Sequence, residues 1–411
     1  MARKKNTDDE FFAELAKDTG SMLLEGYGSS KYFVDTGNLA LNYINSGKFI
    51  KGGIPTGITE IYGPPASSKS LIAYIVLGAC QRMGGYAVLL DCERAANEGF
   101  AVSAGHVDEK RLILNQPLFI EAVSAKVTSI TKKIREAKGQ EPPIVFVWDS
   151  IGVTSCEREW KENSLPEKYT KEEFKKIVGG KEQPGERAKA AGKFLRKINP
   201  FLDENNASLL VINQIRDKIG VLYGSPETTA GGGKALPFYA NCRIRTATQK
   251  DLGDKKKNTQ IGIKLKVQNK KSRSCKPYMW TEGVQLYFDY GLNPLSGMVT
   301  MLIAAGRIES SGKGKYKILE PWAGGETIVF SASKEGNELP MEIALKCPAL
   351  IDAKTEKEVV DYLSVYKSAI DISQSGLVAE KNASEEEGDF DINDLDGLVD
   401  DADIDSEEDS E

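Results

Sequence analysis

The sequence predicts an α/β fold with a mostly parallel central sheet and helices on both faces. Three observations lead there. Apolar runs of strand length alternate with longer helical patterns; several runs end at a polar side chain; and the first passes straight into a glycine-containing loop that opens a helix. In such sheets ligands bind at the carboxyl ends of the strands, so those polar ends are the first candidates for function.

In chain order, Asp8 to Leu24 begins with acids and spaces its apolar residues at a near-helical interval, which predicts a short amphipathic helix. Ile58 to Tyr62 reads as a strand, followed by the loop GPPASSKS and the apolar helix pattern LIAYIVLGACQRM. Further strands are predicted at Ala87 to Leu90, Ile144 to Trp148 and Ser208 to Ile212, followed by Asp91, Asp149 and Asn213. Helical patterns at Glu121 to Lys138 and Glu186 to Leu202 lie between them. After Asn213 the chain turns rich in glycine, threonine and charge without a period, too long for an ordinary connection, so a functional or mobile loop is expected. Residues 250–276 hold 10 lysines and arginines against 2 aspartates. Residues 296–383 predict a small α+β module, and 384–411 a disordered tail, too acidic and too poor in core residues to fold alone.

Composition narrows the chemistry. With 411 residues and 40% hydrophobic content, one large core domain plus smaller modules is expected. Neither a long apolar run nor a signal-peptide pattern at the start is present, so a soluble, cytoplasmic, membrane-free protein is expected. Six scattered cysteines without a CxxC pair read as reduced thiols, and a single histidine, His106, argues against a multi-histidine metal site. The net charge of -6 conceals an asymmetry: Ser384 to Glu411 carries 15 acids and no base, which leaves +9 on residues 1–383. A mildly basic body with a polyanionic tail fits nucleic-acid binding against a competing tail.

Gly63, Pro64, Pro65, Ala66, Ser67, Ser68, Lys69 and Ser70 match the phosphate-loop pattern G-x-x-x-x-G-K-[ST] except that Ser68 stands where the second glycine is expected. Backbone N–H groups and a helix N-terminus would surround phosphates, Lys69 would reach the β- and γ-phosphates, and Ser70 would hold magnesium. A serine at the sixth position must be strained, or the loop reshaped, because glycine there permits unusual backbone angles. Asp149 stands where a magnesium-side carboxylate belongs; taken alone it is a strand-ending polar residue. Glu93 could orient and deprotonate an attacking water, or be an exposed strand-end glutamate.

These residues resemble the bacterial RecA family over residues 36 to about 295. GPPASSKS is similar to its Walker A loop, VLLDCERA to its catalytic-glutamate strand, VFVWDS to its Walker B strand, and residues 213–245 to its second DNA-binding loop and adjoining signature. Ser68 resembles the phage recombinases of the UvsX type, which also lack that glycine, so a phage-encoded relative in a bacterial host cytoplasm is a candidate source. The resemblance implies a RecA-like P-loop ATPase core at 34–295 with an N-terminal polymerisation arm at 1–33. It also implies ATP and Mg2+ as cofactors, self-association into a helical filament, and pairing of single-stranded DNA with homologous duplex DNA. Single-strand-binding and mediator proteins are further expected partners.

Carried over residue by residue, the resemblance makes Glu93 the general base and Gln214 the γ-phosphate sensor at the root of the DNA loop. Lys271 and Arg273 would cross a subunit interface to a neighbour's γ-phosphate, with Lys270 in that place if the match shifts by one. Arg216, Lys218, Tyr223, Gly231 and Gly232 would face DNA in the second loop. The first DNA loop would lie between Glu157 and Arg187, where 8 basic and 8 acidic residues cancel and only Arg187 and Arg196 stand out beside it. Two other readings remain open at this point: a RecA-fold hexameric helicase, and a nucleotide-dependent DNA-binding protein with little hydrolysis.

Overall fold

The computed structural model describes residues 7–19, 21, 30–159, 185–217, 227–229, 233–254, 259–332 and 337–374. The first element, α1 (Thr7–Asp18), covers the first part of the helix expected from the sequence. A two-stranded ladder, β1 (Phe33–Val34) with β2 (Ile54–Pro55), flanks α2 (Leu39–Ser46). The α/β core then runs β3 (Gly57–Gly63), α3 (Lys69–Arg82), β4 (Tyr86–Asp91), α4 (Glu98–Ser103), β5 (Leu112–Asn115), α5 (Ile120–Lys138) and β6 (Ile144–Asp149). It continues with α6 (Glu186–Glu204), β7 (Ala207–Asp217), β8 (Glu227–Thr229) and α7 (Ala235–Tyr239), then β9 (Cys242–Asp254), β10 (Thr259–Ser272), β11 (Trp280–Tyr287) and β12 (Gly291–Leu292).

The strands form one sheet in the order β12-β11-β10-β9-β3-β7-β6-β4-β5, with β8 pairing β7. Every pairing from β9 through β3 to β5 is parallel, as the alternation of strand and helix patterns predicts. The other half, β9 to β12, is antiparallel, and in β10 Ile263, Leu265 and Val267 alternate with Lys264 and Lys266, the period-2 pattern of a strand in such a sheet.

Side chains alternate between two apolar layers along each central strand, the period-2 consequence of an extended backbone. On β6, Ile144, Phe146 and Trp148 pack with α5 and α6 through residues such as Val123, Val127, Phe194 and Leu195. Val145 and Val147 face the opposite layer, with Ile72, Ile75 and Val76 of α3. That second layer extends without a break into the C-terminal residues: Met298, Leu302, Ile318, Phe330, Leu350 and Leu363 belong to the same cluster as Leu39, Leu41 and Ile44 of α2. There, a three-stranded antiparallel sheet (308–331) is accompanied by short helices between 298 and 374.

The chain after Asn213 departs from the expected loop. β7 runs on through Gln214 to Asp217, and Ile215 to Asp217 pair antiparallel with Glu227 to Thr229, so the loop leaves the sheet as a ribbon. The β-branched and charged residues there lack the apolar alternation of a buried strand, which is why the pattern reads as loop.

Candidate nucleotide site

Strand register gathers the polar strand ends at one edge of the sheet. Gly63 pairs with Gln214, Tyr62 with Asn213, and Asp91 with Asp149. The residues singled out along some 150 positions of sequence thereby converge on the loop between β3 and α3.

The backbone of that loop explains its composition. A Cβ on Gly63 would stand 2.3 Å from the Thr246 carbonyl oxygen, so β9 approaches too closely for any side chain there. Ser68 sits at φ 57 and ψ 27, the left-handed region, immediately before α3. The strain expected of a serine in that position is therefore present, at a cost of roughly 1–2 kcal/mol. Ala66 has φ 58 as well, so two residues two positions apart hold positive φ and turn the chain around a concavity.

Lys69 folds onto the loop, its Nζ donating to the carbonyls of Gly63 at 3.2 Å and Pro64 at 2.6 Å. Burial lowers its pKa, and the carboxylates of Asp149 and Glu93 oppose that shift. Ser70 Oγ donates to Asp149 Oδ2 at 2.7 Å, which joins the two proposed magnesium ligands directly. The Asp149 carboxyl is pushed up to about 6 chiefly by burial, with Glu93 and Asp91 adding repulsion while Ser70 and Lys69 pull it down.

Glu93 is placed by its neighbours. Its backbone N–H donates to the Asp149 carbonyl at 3.2 Å, and its Oε1 accepts a short hydrogen bond from Ser150 Oγ. Gln214 Nε2 lies 3.5 Å from the same Oε1, at the long limit of a hydrogen bond. Ser150 is held in turn: the buried Trp148 indole donates to Thr154 Oγ1 at 3.0 Å, and Thr154 Oγ1 donates to the Ser150 carbonyl at 2.7 Å. Sequence reasoning misses Ser150, although it adjoins Asp149 in the VFVWDS run; only the turn after β6 aims it at Glu93. Asp91, a strand end by its pattern, caps the Ala95 and Ala96 N–H groups and pins the turn that carries Glu93.

A cavity of about 670 Å³ opens beside the loop, with Phe100, Phe288, Tyr74, Asn97, Thr248 and Asp251 among its walls. This is the size of a small-molecule site, and the aromatic side chains among its walls suit contact with a planar base beside the loop. Lysine, serine hydroxyl, carboxylate and helix N-terminus together suit a magnesium nucleotide.

Comparison with known proteins agrees in extent and in position. The RecA N-terminal domain matches residues 17–134 and 169–293. The chain is 31% identical over 315 residues to Protein RecA of Thermus thermophilus, covering 76% of this chain and 84% of that one. The chain belongs to the RecA family. It is also 32% identical over 262 residues to Protein RecA of Thermus aquaticus, covering 64% of this chain and 69% of the relative. For Protein RecA of Chloroherpeton thalassium the figures are 31% over 281 residues, with 68% and 70% covered.

In this RecA-family chain the two basic candidates of β10 and the turn after it lie away from the loop. Lys271 Nζ donates to the Pro237 and Phe238 carbonyls at 2.9 and 2.7 Å, and Arg273 reaches Asn241 Oδ1 at 3.3 Å. Both stand near the start of β9, whereas the loop meets β9 at Thr246. The Arg187 guanidinium donates to the Ile151 and Gly152 carbonyls, bracing the turn after β6, while Arg196 is exposed on α6. Arg216 lies in β7, and its side chain is not described; Lys218, Tyr223, Gly231 and Gly232 lie outside the described residues. No helix among the described residues is long and apolar enough to cross a membrane.

Proposed function

We propose that this chain is an ATP-dependent recombinase that assembles as a filament on single-stranded DNA and pairs that strand with homologous duplex. The observation that carries this reading is the position of Glu93. Its carboxylate contacts Ser150, next to Asp149 on the phosphate side, and lies within 3.5 Å of Gln214, at the root of the β7–β8 ribbon. One side chain thus stands between the nucleotide site and the element proposed to meet DNA.

ATP with Mg2+ supplies the phosphoanhydride bond and the positive charge that offsets charge developing on the phosphates. Lys69 would exchange the Gly63 and Pro64 carbonyls for β- and γ-phosphate oxygens, and Ser70 with Asp149 would hold the metal. Ser150 orients Glu93, which accepts a proton from the attacking water. Gln214 carries the state of the phosphate to the ribbon, and Arg216, Lys218, Tyr223, Gly231 and Gly232 would meet DNA beyond it. Base pairing supplies sequence recognition, so backbone grip and stacking suffice.

Two exposed apolar surfaces support self-association. Phe11, Phe12 and Leu15 of α1 are 59%, 56% and 45% exposed, and β5, the outer strand of the parallel half, exposes Leu114 by 50%. Such groups are left to solvent when a partner normally covers them. Lys271 and Arg273, remote from the loop of their own chain, would then reach the phosphates of a neighbour.

The test measures ATP turnover with and without single-stranded DNA, and joint-molecule formation with homologous and unrelated duplex. The expected result is DNA-stimulated turnover and pairing with the homologous duplex alone. Unwinding of a forked duplex without a homologous strand would favour a helicase, and DNA binding without turnover a nucleotide-dependent binding protein.

A further inference from the structure

One buried acid lies outside the mechanism above. Glu60, in the middle of β3, has no solvent exposure. Its Oε2 accepts from Arg243 Nε at 2.5 Å, and its Oε1 accepts from Asn213 Nδ2 at 2.9 Å. Asn213 is itself fully buried, and its Oδ1 accepts the backbone N–H of Gln214 at 3.0 Å. On the other side, the Arg243 guanidinium lies 4.8 Å from the centre of the Tyr62 ring, and Arg243 is the cross-strand partner of Lys271.

The chemistry allows only one arrangement of these groups. Arg243 and the Asn213 amide nitrogen can only donate, and a carboxylate is the one side chain of this shape that accepts from both. Glu60 therefore compels Asn213 to turn its nitrogen inward and its oxygen toward the Gln214 N–H, which sets the backbone from which the Gln214 side chain leaves β7. Burial makes the arrangement selective, since the Asn213 amide, fully buried, has no water to turn to if it loses its acceptor. A structural ion pair would need no asparagine relay to the residue beside Glu93.

We propose that Glu60 is a positioning residue that, through Asn213, holds Gln214 in register with Glu93 and so couples nucleotide binding to DNA binding. The proposal rests on the recombinase reading above. Glu60 touches neither nucleotide nor DNA, and its effect belongs in the coupling between the two ligands rather than in affinity for either alone.

The test uses a donor–acceptor mismatch and its repair. Glu60→Gln leaves one acceptor oxygen for two donors, so either Arg243 or Asn213 loses its partner. The double variant Glu60→Gln/Asn213→Asp restores the match: the carboxamide accepts from Arg243 and donates to the new carboxylate, whose other oxygen still accepts the Gln214 N–H. Single-stranded DNA affinity is measured on full-length protein with and without a non-hydrolysable ATP analogue, at a temperature where every variant keeps the wild-type circular-dichroism spectrum. Affinity for the analogue is measured in parallel.

The single variant should bind the analogue within about threefold of wild type yet lose most of the analogue-induced gain in DNA affinity, on the order of tenfold. The double variant should recover that gain. A full gain in wild type and in the single variant overturns the inference alone, and so does a loss that the double variant does not repair. A wild-type protein without any gain overturns the recombinase reading and the inference with it.

Discussion

At the residue scale, the proposed site separates side chains that would hold the nucleotide from one that would act on water, and two substitutions should resolve the two roles. Lys69→Ala removes the ammonium that sits on the Gly63 and Pro64 carbonyls and should abolish ATP-dependent DNA binding. Glu93→Gln keeps the loop and should retain ATP-stabilised DNA binding while turnover falls by about 10²- to 10⁴-fold. Turnover within a few-fold of wild type would remove Glu93 as the base. Asp149 makes a separate prediction from its titration. Its pKa is raised in the folded chain to about 6, so near neutral pH the ionised form opposes folding, and that penalty fades as pH falls through about 6 toward 4. In metal-free buffer, Asp149→Asn should therefore raise the melting temperature at about pH 7.5 and raise it clearly less at about pH 4.5, while magnesium-dependent nucleotide binding is lost at the higher pH. Equal shifts at both pH values would show that the carboxyl titrates in the ordinary range.

At the element scale, α1 buries almost none of its described side chains. Phe11 and Phe12 meet edge to face at 6.0 Å between ring centres and are otherwise open to solvent. An isolated helix of 12 residues is marginal in water, so α1 is the kind of element that gains stability from a partner's surface. The double variant Phe11→Asp/Phe12→Asp should leave the melting temperature of the monomer unchanged and reduce assembly on DNA to short species in sedimentation. Assemblies of wild-type size would remove α1 from self-association. The ribbon of β7 and β8 is held, among the described residues, by three residue pairs, which suits the ligand-responsive role proposed for it.

At the scale of the whole molecule, charge is divided rather than balanced. Residues 1–383 carry +9 and the stretch from Ser384 to Glu411 carries 15 acids; that stretch lies outside the described residues. A polyanion tethered to a basic body competes with phosphates for the same surface. Removal of 384–411 should strengthen DNA binding, most for duplex, and the gain should shrink as salt rises, since the Debye length falls to about 3 Å near 1 M. Overlapping salt titrations of the two proteins would leave the tail as a solubility device.

The parallel half of the sheet and the phosphate loop were legible in the sequence by itself. Strand runs such as Ile144 to Trp148 are continuous apolar segments because both faces are covered, and Gly63 to Ser70 has a spacing that phosphate chemistry demands. Asp149 could be named because it stands at a strand end, where a parallel sheet places its ligands, and Glu93 because it lies two residues past one; Gln214 was named through the resemblance to the RecA family. Their contacts could not, because a hydrogen bond between positions 93 and 150 depends on which strands lie side by side. Ser150 and Thr246 carry no pattern of their own; the turn after β6 and the approach of β9 to Gly63 give them their places. Glu60 is the clearest case. In sequence it interrupts the apolar run Ile58 to Tyr62 as one acid among 60, and only the tertiary structure, by sealing it between Arg243 and Asn213, turns an ordinary carboxylate into one that dictates how its neighbours point.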